Sequence, residues 1–199
     1  MMRTILHDLD VNFTEADGEA AFYGPKLDIQ IKNVHGKEDT LITIQIDFQL
    51  AERFGMTYVD ADGEKKYPYV IHRTSMGCYE RTLALLIEKY AGALPTWIAP
   101  VQVRLLAMTD RTHGAAQELK QKLEGLGLRV ETDLRSEKIG FKIREAQMQK
   151  IPYMLIVGDK EVENGVVAVR ARKDGDLGTM TLEQFESRIL NEISTRVHD

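Results

Sequence analysis

The chain has 199 residues, 43% of them hydrophobic and 29% charged, with a net charge of −5. That balance suits one or two compact globular domains and excludes a disordered or fibrous chain. No apolar run reaches the roughly 18 residues of a membrane span. The first residues turn acidic at once, unlike a secretory leader, and the single cysteine, Cys78, excludes an internal disulfide framework and fits a reducing, cytoplasmic setting.

Charge is uneven along the chain. Residues 1–94 carry 10 basic and 15 acidic side chains, whereas residues 95–199 carry 16 of each. Residues 129–150 hold six basic groups (Arg129, Arg135, Lys138, Lys142, Arg144, Lys150) against four acidic ones, which allows a weak local basic patch and no strongly basic surface.

In chain order, residues 26–31 and 41–48 alternate apolar and polar side chains, the period of a half-buried strand, and the turn residues 33–39 between them predict an antiparallel pair. A third strand is expected at 67–72, after the turn at 60–63. Residues 79–90 read as a helix with Leu83, Leu86, Ile87 and Tyr90 on one face. Gly92 and Pro95 then end the helix and set a boundary, giving domains 1–94 and 95–199. Beyond it the pattern alternates: strand 101–107, helix 115–126 with Leu119 and Leu123 inward, strand 128–132, a helix capped by Ser136 and running to Gln149, strands 153–157 and 166–171, and a last helix 181–194. That helix has Thr181 as N-cap and Leu182, Phe185, Ile189 and Ile193 inward. Strands alternating with helices of this length define a small α/β domain.

Four short strings carry more specific chemistry. In Ala21-Phe22-Tyr23-Gly24-Pro25-Lys26 the Gly-Pro turn delivers a lysine to the start of a strand, where it can meet a phosphate or carboxylate. In Thr43-Ile44-Gln45-Ile46-Asp47-Phe48 the polar residues share one sheet face, opposite Ile44 and Ile46. Val70-Ile71-His72-Arg73 is followed by Gly77-Cys78-Tyr79-Glu80-Arg81, a glycine that lets backbone approach a ligand and an arginine at a helix start. The longest block is Asp133-Leu134-Arg135-Ser136-Glu137-Lys138-Ile139-Gly140-Phe141-Lys142-Ile143-Arg144, with Ile151-Pro152-Tyr153 and Gly158-Asp159-Lys160-Glu161 downstream. Taken alone, each string also suits an ordinary turn, a solvated sheet face or a solvated helix face.

Together, in this order and spacing, the strings resemble the threonyl-tRNA synthetase family from about Gly18 to Ser194. The resemblance implies an α+β and α/β chain: part of the antiparallel sheet of a class II synthetase core, then a mixed-sheet anticodon-binding domain. It implies an ATP-dependent ligase that joins threonine to its tRNA through threonyl-adenylate. Lys26 and Arg81 are then the catalytic cations, Tyr23 and Gln45 line the threonine pocket, and Thr43, Gly77, Cys78 and Arg81 border ATP with its Mg2+. His72 is one ligand of a zinc ion that admits the threonine hydroxyl and rejects valine. The other two protein ligands and motifs 1 and 2 have no match in this chain, so the resemblance implies an incomplete zinc site and a chain inactive by itself. Ser136, Lys138, Arg144, Glu161 and Arg170 match anticodon-contacting positions, so threonine tRNA is the implied partner beside ATP and threonine, with a homodimer as the expected assembly. The chain departs from the family's Trp-Gln at Asp39-Thr40, so Thr40 stands where the family's glutamine helps hold ATP, and it has serine at 136 where asparagine is common. A non-catalytic RNA-binding module, and a relative serving proline, glycine or histidine, stand as alternatives.

Overall fold

The computed structural model describes residues 2–196, which divide into two compact units between Leu85 and Leu86. The division falls inside a helix, ahead of the glycine and proline at which the sequence places its boundary.

The first unit opens with helix α1 (Met2–Asp8), which the sequence reading did not anticipate. Strands β1 (Lys26–Lys32) and β2 (Glu38–Asp47) pair antiparallel, with Lys26 opposite Gln45 and Asp28 opposite Thr43. After the short helix α2 (Leu50–Arg53) and a two-residue hairpin of β3 (Tyr58–Val59) and β4 (Lys65–Lys66), strand β5 (Val70–Arg73) pairs with β2 and sets His72 opposite Gln45. The third strand therefore starts three residues later than expected: Pro68 has no N–H to give a ladder and holds the chain out of the sheet until it has passed. Strand order is β1-β2-β5, leaving β1 and β5 as edges. Helix α3 (Tyr79–Lys89) follows, and none of its residues is buried; Leu83 and Ile87, on its apolar face, are 52% and 47% exposed. Leu86 and Tyr90, on the same face, are half-buried.

The second unit folds around a five-stranded sheet in the order β10-β9-β8-β6-β7. Its elements are β6 (Val103–Ala107), a 3-10 turn (Asp110–Thr112), α4 (His113–Gly125), β7 (Val130–Asp133), α5 (Ile139–Met148), β8 (Tyr153–Val157), α6 (Asp159–Asn164), β9 (Val166–Ala171), β10 (Gly175–Thr181) and α7 (Leu182–Thr195). Strands β6, β7 and β8 run parallel, and β9 and β10 antiparallel to their neighbours. Alternate residues face two cores. Val103, Leu105, Leu155, Val157, Val167 and Val169 pack with Ala116, Leu123, Phe185 and Ile189 of α4 and α7. Leu106 and Met154 pack with Ala146 and with Ile139 and Ile143 of α5 on the other face. Thr181 caps α7 as its hydroxyl accepts from the Gln184 amide.

Ser136 caps no helix. Arg135 is drawn back onto Asp133, the Glu137 amide bonds the Arg135 carbonyl at 2.9 Å, and this bend delays α5 until Ile139, with Lys138 at the N-cap and no side-chain cap bond. Further elements escaped the sequence reading: the short α2, the small β3–β4 hairpin, the 3-10 turn, α6, and β10, whose two glycines and bulge between Asp176 and Gly178 break the strand pattern.

Candidate functional site

The polar face of the first unit is built by register. Because Lys26 faces Gln45 and Gln45 faces His72, the three side chains form one row across three strands. The Tyr23–Pro25 segment is stitched beside the end of β2 by Ile46 N–H to Pro25 O (3.0 Å) and Phe48 N–H to Tyr23 O (3.0 Å). Only glycine fits at 24, since a Cβ there would collide with the Ile46 carbonyl. This places the Tyr23 hydroxyl on Gln45 Oε1 at 2.5 Å and its ring 6.1 Å from that of His72.

Two aspartates organise the row. Asp28 accepts from Lys26 Nζ at 2.6 Å and from the Thr43 hydroxyl at 2.8 Å. Burial works to raise its pKa, but these two donors hold it below the usual carboxylate range, and Asp28 in turn raises Lys26. Asp47 is buried; its Oδ1 accepts the Gln49 and Leu50 amides and its Oδ2 lies 3.1 Å from His72 Nε2. Burial again pushes its pKa upward, and the two amides with His72 outweigh it. Neither aspartate was singled out as a site residue in the sequence reading. The signal available was position: each stands two residues from a candidate on its own strand, hence on the same face.

Gly77 has φ +67°, and a Cβ there would collide with the Leu41 carbonyl, so glycine lets this loop lie against β2. Beyond it Cys78 Sγ lies 2.8 Å from Glu80 Oε2 and Arg81 Nη1 donates to Thr40 O at 2.8 Å. Thr40, the residue that breaks the family pattern, thus meets Arg81 through its backbone. Among the described residues no three His, Cys, Asp or Glu side chains come together as a metal site. His72 with Asp47 alone does not fit a zinc ion.

In the second unit, α4 joins β6 to β7 over one face of the sheet and α5 joins β7 to β8 over the other, and strand order reverses at β6. Ligands of such sheets bind outside the carboxyl ends of the strands at that reversal. Ser136 and Lys138 follow β7 there, and Glu161 follows β8, with its carboxylate accepting the Gly158 amide at 3.1 Å. Arg144 lies farther along α5 on its exposed side. Arg170 is on β9 opposite Met154, near the start of β8 and away from the carboxyl edge; it donates to Asp176 Oδ2 at 2.8 Å, and its buried Nε–H has no acceptor among the described residues. The edge thus gathers Ser136, Lys138 and Glu161, while Arg144 and Arg170 lie down the α5 side of the sheet.

The basic patch is smaller than its sequence count. Lys142 is 1% exposed and donates to Ala107 O at 2.8 Å and Asp133 O at 3.2 Å. Arg129 bonds the Ala99 and Trp97 carbonyls, Arg135 is clamped by Asp133 and Glu145, and Lys150 bonds Ala91 O. Arg135, helped by backbone hydrogen bonding and Lys142, holds Asp133 below the usual carboxylate range against its burial. Of the six cations, only the Lys138 and Arg144 side chains have no partner among the described residues.

Comparison with known families divides the chain in the same sense. Residues 2–90 match the tRNA synthetase class II core domain (G, H, P, S and T), and residues 98–192 match an anticodon-binding domain. The chain therefore joins a segment matching the class II aminoacyl-tRNA synthetase core to a segment matching an anticodon-binding domain. Among curated relatives, a threonine–tRNA ligase of Clostridium perfringens (strain 13 / Type A) is 65% identical over 98% of the chain, and those of Clostridium botulinum strains Eklund 17B and Loch Maree are 60% and 51% identical over 98% and 99%. A solved structure, the RNA binding domain of threonyl-tRNA synthetase from Cryptosporidium parvum Iowa II, superposes with a TM-score of 0.86 at 31% identity, over 96% of this chain and 48% of that one. The chain belongs to the threonyl-tRNA synthetase family. It spans 30–31% of the length of these curated relatives.

Proposed function

We propose that this chain serves a threonine–tRNA ligase, supplying one wall of the aminoacylation site and the domain that reads the anticodon. The row of Lys26, Gln45 and His72, with Tyr23 bonded to Gln45, carries the reading. Threonine would lie over Tyr23 and Gln45. Its carboxylate would attack the α-phosphorus of ATP, expelling pyrophosphate, and the terminal ribose hydroxyl of the tRNA would then take the threonyl group from the adenylate, releasing AMP. Lys26 and Arg81 would neutralise charge that develops on phosphate, and Asp28 and Thr40 would hold those cations in place beforehand. The Gly77 turn would admit the nucleotide together with its Mg2+. A zinc ion would need ligands from outside these 199 residues.

The open edges β1 and β5 favour a homodimer, because unpaired strands seek partners. Sedimentation should show self-association at high concentration, and a clean monomer would oppose it. The central test is binding of the chain, at fixed salt, to threonine tRNA and to an anticodon-mutated version. Tighter binding of the intact anticodon is expected; equal binding would overturn the anticodon assignment. Pyrophosphate exchange by the isolated chain should be absent, and turnover would show that the site needs no further residues.

A further inference from the structure

Phe141 is 46% exposed on the first turn of α5, although the helix has an apolar side that packs Ile139, Ile143 and Ala146 against the sheet. Its surroundings are cationic. The Arg135 guanidinium lies 5.9 Å from the ring centroid, and it cannot swing freely because Asp133 takes Nε at 3.0 Å and Nη2 at 2.6 Å while Glu145 takes Nη2 as well. Lys138 and Arg144 stand three residues before and after Phe141, the spacing that makes neighbours on a helix surface. These are the two cations of the patch without a partner. Met148, 71% exposed, continues the same outer stripe.

From this arrangement we infer that Phe141 is a stacking platform for an unpaired nucleobase, with Lys138 and Arg144 meeting the phosphates on either side of it. An apolar protein surface docked here would take two cations out of water with no counter-charge, which is costly. A single-stranded nucleotide brings a flat π face for the ring and negative charge for both cations. The inference rests on the anticodon reading and deepens it: the edge residues Ser136 and Glu161 would read base edges, and Phe141 would hold a neighbouring base by its face.

The test uses the full chain and the anticodon stem-loop of threonine tRNA, with 2-aminopurine placed in turn at each loop position. Phe141→Leu should weaken binding about 5- to 100-fold, the usual loss for one stacked base. Phe141→Trp, which keeps a flat ring, should bind within about threefold of the unmodified chain. One 2-aminopurine position should be quenched by the unmodified chain and by Phe141→Trp, and not by Phe141→Leu. Unchanged affinity in Phe141→Leu overturns the inference, as does weaker binding with no position whose quenching depends on the ring. No stem-loop binding by the unmodified chain overturns the anticodon reading itself, and the stacking site with it.

Discussion

Replacing Lys142 with methionine should destabilise the second unit far more than any other cation-to-methionine change in its stretch. The ammonium is 1% exposed and bridges the ends of two strands, donating to Ala107 O at 2.8 Å and Asp133 O at 3.2 Å, with the Asp133 carboxylate 3.9 Å away. Methionine fills the volume of the stem, so the cavity cost is small. What remains is the loss of a donor from two carbonyls and of a charge beside a buried carboxylate, about 3–5 kcal/mol for breaking such a buried group's interactions on one side. For a domain of about 100 residues each kcal/mol moves the midpoint by roughly 4 °C, so the expected drop is about 12–20 °C. Trp97, the only tryptophan, lies in this unit and reports its melting by fluorescence. Lys138→Met is the control, because an exposed side chain without partners should cost no more than about 0.5 kcal/mol. A Lys142→Met melt within about 2 °C of the unmodified chain would show that neither carbonyl depends on the ammonium.

Acid should weaken the chain through its paired aspartates. Asp28, Asp47, Asp60 and Asp133 are all held below their usual 3.8, so the stability they contribute is complete above that value and lost as pH falls through their lowered folded values; a urea midpoint unchanged from pH 5 down to 3 would contradict this. At the alkaline end, burial and the hydrogen bond to Glu192 push Tyr153 up to about 12. A raised value favours the folded state below the unfolded value of 10.0, so this contribution should persist to pH 10 and fade between 10 and about 12, and the Tyr153→Phe chain should lack that component of the alkaline loss.

What could be read from the sequence was whatever repeats along the chain. The apolar runs 153–157 and 166–171 form β8 and β9 at those bounds, and the Thr181 cap followed by inward Phe185 and Ile189 forms α7 as its spacing indicates. What escaped was decided by partners distant in sequence or by single residues that override a pattern. Pro68 cut the start of β5, and the pull of Asp133 on Arg135 removed Ser136 from its capping role. Lys142 reads as one more solvated base because the carbonyls it meets lie 9 and 35 residues away. Asp28 and Asp47 look like ordinary polar positions of a strand until register brings Thr43 and His72 against them.

The same distinction sets how strongly RNA binding should depend on salt. Counting the six cations of residues 129–150 as phosphate contacts would give a slope of log K against log salt near −4, at about −0.7 per single-strand contact. The structure removes four of them from that count. Arg129 and Lys150 are spent on backbone carbonyls, Lys142 is sealed beneath α5, and Arg135 is neutralised by Asp133 and Glu145. Lys138 and Arg144 remain, with Lys160 on α6 exposed near the same edge. Two or three contacts predict a slope of about −1.5 to −2 for the anticodon stem-loop. Fluorescence titrations from about 50 to 200 mM salt measure it directly. A slope near −4 would mean that paired cations leave their acceptors for phosphate, so that the backbone carbonyls release Arg129 and the carboxylates of Asp133 and Glu145 release Arg135 when RNA binds.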